Sequence, residues 1–95
     1  MDIHVIIRFQ ARPERTDDFA QLLDQVKLNL PKVDGCRAAR VFRHEDEPGG
    51  FTLFETWASR AQHEAHLKEV VVSGRWAEVL THLATEPVSH YGREV

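Results

Sequence analysis

The spacing of apolar residues along this chain changes from two to three-and-four and back, and then does so again. Few folds accommodate that order. Ile3, Val5, Ile7 and Phe9 lie on one side of an alternating stretch from Ile3 to Gln10, which reads as a strand rich in β-branched residues. Ile6 makes the opposite side partly apolar, so this strand is expected to be central and covered on both faces. Pro13 suits the first turn of a helix, and Asp17 and Asp18 complement that helix's positive end. Phe19, Leu22, Leu23, Val26 and Leu30 then form one apolar stripe, which Pro31 stops.

The second half repeats the pattern with a hairpin in front. Asp34-Gly35 signals a turn, Cys36 to Glu45 a second strand, and the breaker-rich Glu45 to Gly50 a hairpin loop. Phe51 to Trp57 is the third strand, with Phe51, Leu53, Glu55 and Trp57 on one face. Ser59 and Gln62 have the spacing of a capping box. The helix they open is expected to run to about Val70, to be interrupted by Val70 to Gly74, and to restart through Trp76, Val79, Leu80 and Leu83. Pro87 closes it, and Val88 to Val95 reads as a last strand. The order β-α-β-β-α-β predicts an α+β, ferredoxin-like (split βαβ) fold, an antiparallel sheet with its helices on one face. No linker, biased tract or long repeat divides the chain, so residues 1–95 are expected to form a single domain.

Helices on one face leave the other uncovered. Either Ile3, Val5, Ile7 and Phe9, or Ile6 and its neighbours, would then meet water. A chain of 95 residues buries only about 60–70% of its unfolded surface by itself. A second copy, laid sheet against sheet across a dimer axis, would cover the remaining face and make a two-sheet barrel.

Composition removes several classes of function. Twelve Lys and Arg against fifteen Asp and Glu give a net charge of −3, without the clustered basic excess that nucleic acid requires. Apolar runs such as Val70 to Val72 are far from spanning a membrane, and no leader-like segment is legible at Met1 to His4. The single cysteine, Cys36, excludes an intrachain disulfide and suits a reducing cytoplasm.

The side chains able to carry chemistry are few. His63 and His66 lie one helical turn apart; His63 shares the inward face with Leu67 and Val70, and His66 lies at its edge. Their spacing is not that of H-E-x-x-H, and no third ligand suggests itself, so no metal is expected and His63 reads first as a partly buried core side chain. An edge position would let His66 look into a cleft. Glu55 is a carboxylate on an apolar face, an expensive placement unless it meets a partner or water. It either faces a cleft or, at an exposed strand end, pairs with an arginine of the second strand. Trp57 alone reads as core. Cys36 has no neighbouring cation in sequence to activate it, and Gly49-Gly50 precedes a strand rather than following one, unlike a phosphate loop. Nothing asks for a nucleotide, flavin or pyridoxal cofactor.

Gly35-Cys36-Arg37, the acidic loop Asp46 to Gly49, the run Phe51-x-Leu53-x-Glu55-x-Trp57 and Ala65-His66-Leu67 together resemble the antibiotic biosynthesis monooxygenase family. The resemblance runs from the first strand to Tyr91. It implies a homodimer with a small pocket between helices and sheet in each subunit, and oxidation of a small aromatic phenol or quinol by O₂ without metal or flavin. It makes His66 the candidate acid or base, Trp57 an aromatic wall or hydrogen-bond donor, and Glu55 an orienting group. Leu53, His63 and Trp76 are the expected substrate contacts. Leu53 replaces an asparagine that some relatives carry, and Ile6, His66 and Leu80 stand where the haem-degrading branch has Asn, Trp and His, which argues against haem degradation. His63 stands where relatives tend to carry a bulky apolar residue. The alternatives are an isomerase or lyase acting on a small carbonyl compound, and a ligand-binding dimer without catalysis.

Overall fold

A computed structural model describes residues 1–95. Its strands are β1 (Ile3–Gln10), β2 (Cys36–Arg43), β3 (Gly50–Trp57) and β4 (Val88–Gly92), and its helices α1 (Thr16–Asn29), α2 (Arg60–Val72) and α3 (Arg75–Thr81). Short 3₁₀ turns at Pro13–Arg15 and Leu30–Lys32 flank α1. The sheet is antiparallel and open, in the order β2-β3-β1-β4, the ferredoxin-like arrangement.

The helices pack on one of the two faces that strand alternation creates. Ile3, Val5, Ile7 and Phe9 are buried, and β3 presents Trp57, Glu55, Leu53 and Phe51 directly opposite them. The side to be left uncovered is therefore the one carrying Ile6. Phe19 of α1 is wholly buried and meets Phe9 and Phe51 edge-on, with ring centroids 5.2 and 5.4 Å apart. This aromatic cluster anchors α1 at one end of the sheet. The segment after α3 is tied to the same end: Arg12 N–H donates to the His82 carbonyl, Ala84 N–H to that of Gln10, each at 2.8 Å.

Several local expectations are adjusted. The valines do not end α2, which runs through Val72; the break falls at Ser73 and Gly74, where Gly74 adopts φ +86°. Helical hydrogen bonding tolerates β-branched side chains at modest cost, whereas a left-handed residue ends it. Strand β2 stops at Arg43 and β4 at Gly92. Only half of the capping box forms. Ser59 Oγ accepts from Gln62 N–H at 3.2 Å, but the Gln62 side chain accepts from the Ser59 hydroxyl at 3.0 Å and donates to Asp34 at 3.5 Å instead of reaching the Ser59 backbone. Gly35 makes room for it, since a Cβ there would lie 2.5 Å from the Gln62 side chain.

Removing the Phe19 ring should reach both β1 and β3. Phe19→Ala is expected to lower unfolding free energy by about 3–5 kcal/mol, and Phe19→Leu by less than about 1.5 kcal/mol. Urea unfolding of the two variants checks this ordering.

Candidate functional site

Away from the aromatic cluster, the helices do not close on the sheet. A cavity of about 300 Å³ remains, walled by Ile7 and Leu53 of the sheet, Leu22 and Val26 of α1, Leu67 and Val70 of α2, and Trp76 and Val79 of α3. The break at Gly74 turns α3 across one side of this space. The walls are mostly apolar, with Glu55, His63 and His66 as ionisable groups within them. Gln25 and Asn29 of α1 and Arg75 and Glu78 of α3 add polar side chains to the lining.

Glu55 is brought there by strand alternation, which places it between Leu53 and Trp57 on the covered face. It is only 4% exposed. Trp57, behind it and wholly buried, donates its indole N–H to Glu55 Oε1 at 2.7 Å. Helix α2 supplies both imidazoles from successive turns. The His63 ring meets the Trp57 indole edge-on at 5.3 Å, and the His66 ring lies tilted against it at 5.5 Å. Nε2 of His63 is 3.8 Å from Glu55 Oε1, and its Nδ1 is 2.7 Å from the Tyr91 hydroxyl. His66 has no comparable anchor, and its buried Nδ1 lacks a hydrogen-bond partner.

Burial governs the protonation of all three groups. It pushes the Glu55 carboxyl up to about 7, although the Trp57 N–H works the other way. It pulls the His63 imidazole below its ordinary value, assisted by His66 and opposed by Glu64. The His66 imidazole is lowered first by burial and then by Arg75, with Glu69 opposing. At neutral pH the site thus holds two uncharged imidazoles and a carboxyl able to give or take a proton.

Of the residues singled out from the sequence, Leu53, Glu55, His63, His66 and Trp76 line the cavity. Trp57 stands behind that wall and touches Glu55 and both histidines. Glu55 does not pair with an arginine of β2. Arg37 pairs with Asp2 at 2.7 Å, Arg43 reaches Asp17 at 3.5 Å, and Arg40 lies over the Phe42 ring. Leu67 is 39% exposed, because the inward face of α2 meets open space instead of packed core. No group of three or more His, Cys, Asp or Glu side chains has an arrangement that could hold a metal ion. Tyr91 escaped sequence reasoning as a site residue; its relation to Glu55 appears only in the strand register, where Val5 lies between the two.

A carboxyl raised in the folded state keeps a proton that the unfolded chain has already released. Glu55 therefore contributes stability that is full below its ordinary 4.5 and is lost as pH rises through about 7. Glu55→Gln should remove about 1 kcal/mol of the fall in unfolding free energy between roughly pH 6 and pH 8. Urea unfolding across that range measures it, and an unchanged slope contradicts the assignment.

The profile of the antibiotic biosynthesis monooxygenase family matches residues 2–73. No curated protein matches the chain. Among solved structures, Rv0793 from Mycobacterium tuberculosis is 25% identical, with TM-score 0.86 over 100% of this chain and 96% of its own. A conserved protein from Methanosarcina mazei Go1 is 20% identical, with TM-score 0.87 over 100% of this chain and 94% of its own. An antibiotic biosynthesis monooxygenase is 20% identical, with TM-score 0.85 over 98% of each chain. The last two similarities speak for the fold alone. With the profile spanning most of its length, from β1 through α2, the chain belongs to the antibiotic biosynthesis monooxygenase family.

Proposed function

We propose that the cavity oxidises a small phenol or quinol with O₂, without metal or flavin, in a homodimer of this chain. The observation that carries the reading is an apolar cavity with the His66 imidazole in its wall, the buried Nδ1 of that ring having no hydrogen-bond partner. Triplet O₂ reacts slowly with closed-shell organic molecules, but an electron-rich phenolate can pass it one electron. The protein must then make the anion, keep water away and manage a proton.

In this reading His66 accepts the phenol proton. The phenolate transfers one electron to O₂, and the resulting radical pair combines at a ring carbon to form a C–O bond and a peroxide. Loss of the C–H proton from that carbon breaks the O–O bond, leaving a quinone carbonyl and, with the proton returned by His66, water. One phenol and one O₂ thus give one quinone and one water. Glu55, held by Trp57, orients the second polar group of a quinol. Leu53, His63 and Trp76 contact the ring.

The open face of the sheet supports the dimer. It carries Ile6, Phe54, Phe42 and Val88, the last two 44% and 49% exposed, and a second sheet would cover them. No helix is long and apolar enough to cross a membrane, and the free thiol of Cys36 suits a cytoplasmic location. An isomerase or lyase acting on a small carbonyl compound with an anionic group is less favoured, because Arg37, Arg40 and Arg43 are engaged away from the cavity and Arg75, which lines it, is paired with Glu69 at 3.5 Å.

Turnover of a panel of benzo- and naphthoquinols should stop when O₂ is removed; turnover that continues without it eliminates the oxygenase. His66→Ala should slow the reaction by about 10²–10⁴-fold. The parent's kcat/KM should rise with pH through a midpoint below the ordinary histidine value of 6.5 and then level off, as the imidazole loses its proton. A rise centred near 7 would transfer the base role to Glu55.

A further inference from the structure

We propose that Tyr91 is a positioning residue of this site: its hydroxyl fixes the His63 ring with Nε2–H toward Glu55, so that protein groups face Oε1 and Oε2 is left for the cavity's occupant. The assignment concerns the protein's own groups and goes beyond the oxidative reading, since it holds whatever reaction the cavity performs.

The geometry runs as one chain across the sheet. Tyr91 of β4 and Glu55 of β3 flank Val5 of β1 on the same face. The Tyr91 oxygen lies 2.7 Å from His63 Nδ1, and the Arg60 guanidinium lies over the phenol ring, 4.1 Å from its centroid. With Nε2 facing a carboxyl oxygen, the neutral imidazole carries its proton on that nitrogen and leaves Nδ1 to accept from the Tyr91 O–H. Nε2 faces Glu55 Oε1 at 3.8 Å, beside the 2.7 Å bond from Trp57. No protein donor reaches Oε2, yet it is not sealed off: among buried side-chain polar atoms only His66 Nδ1 and His82 Nδ1 lack partners. Oε2 therefore opens on the cavity that Glu55 lines. The other titratable and charged groups acting on this chain are His66, Arg60 and Glu64 of α2 and Cys36 of β2.

Ring-nitrogen NMR of the full chain at about pH 8, without substrate, reads the His63 tautomer directly, and carboxyl-carbon NMR reads the Glu55 titration. The parent should show His63 protonated on Nε2. Tyr91→Phe keeps the ring and removes the hydroxyl; it should populate the Nδ1–H form and move the Glu55 midpoint up by about 0.5–1 unit. In a His63→Leu background the same change should leave Glu55 unmoved, which separates positioning through His63 from a general loosening of β4. An Nδ1–H form in the parent, an unaltered Glu55 midpoint in Tyr91→Phe, or an equal shift in the His63→Leu background would each overturn the proposal. None of these readouts uses O₂ or a quinol, so they stand or fall separately from the oxygenase.

Discussion

A carboxyl group in the middle of a covered β-strand is the constraint around which the rest of this site is organised. An unpartnered buried charge is far too costly to keep, so the protein provides a donor and lets the proton stay. Trp57 provides it from two residues along the same strand, where the pleat places both side chains on one face. The indole is also the surface against which His63 and His66 rest. One large aromatic side chain, wholly buried, thereby sets the position of all three ionisable groups without lining the cavity itself.

The cavity follows from how the second helical region is divided. A continuous helix after Val72 would carry Trp76 and Val79 away along the axis of α2. The left-handed Gly74 turns the chain, and α3 then supplies a wall instead of packing material. The two ends of the sheet behave differently as a result. Around Phe19 the aromatic rings interlock; around Leu53 and Glu55 the side chains stand back, and Leu67 stays partly exposed where the core would have been.

The order of elements was legible in the sequence because it rests on periodicity. Alternation over Ile3–Gln10 and Phe51–Trp57, and the stripe from Phe19 to Leu30, translate directly into β1, β3 and α1. Which face of β1 would be covered was not legible, because both faces carry apolar residues and only packing against α1 distinguishes them. The valine run misled about the end of α2 for a similar reason: propensity is a weak term beside an unbroken hydrogen-bond ladder. In the site, the pattern Leu53-x-Glu55-x-Trp57 and the helical spacing of His63 and His66 gave the groups but left the environment of Glu55 open between cleft and surface. Tyr91 was hidden for a different reason. Its nearness to His63 depends on the β1–β4 register and on the path of the chain after α3, and no local pattern encodes either.

If the cavity is where a proton leaves an aromatic hydroxyl, a bound quinol must place that hydroxyl against the imidazole of His66, whose Nδ1 has no hydrogen-bond partner. A crystal structure of the chain with a naphthoquinol bound under anaerobic conditions measures this most directly. The account predicts the ring among Leu53, Val26 and Trp76, with one hydroxyl oxygen about 2.6–3.2 Å from a His66 nitrogen. A quinol bound elsewhere on the chain, or lying in the cavity with both hydroxyls turned away from His66, would contradict it.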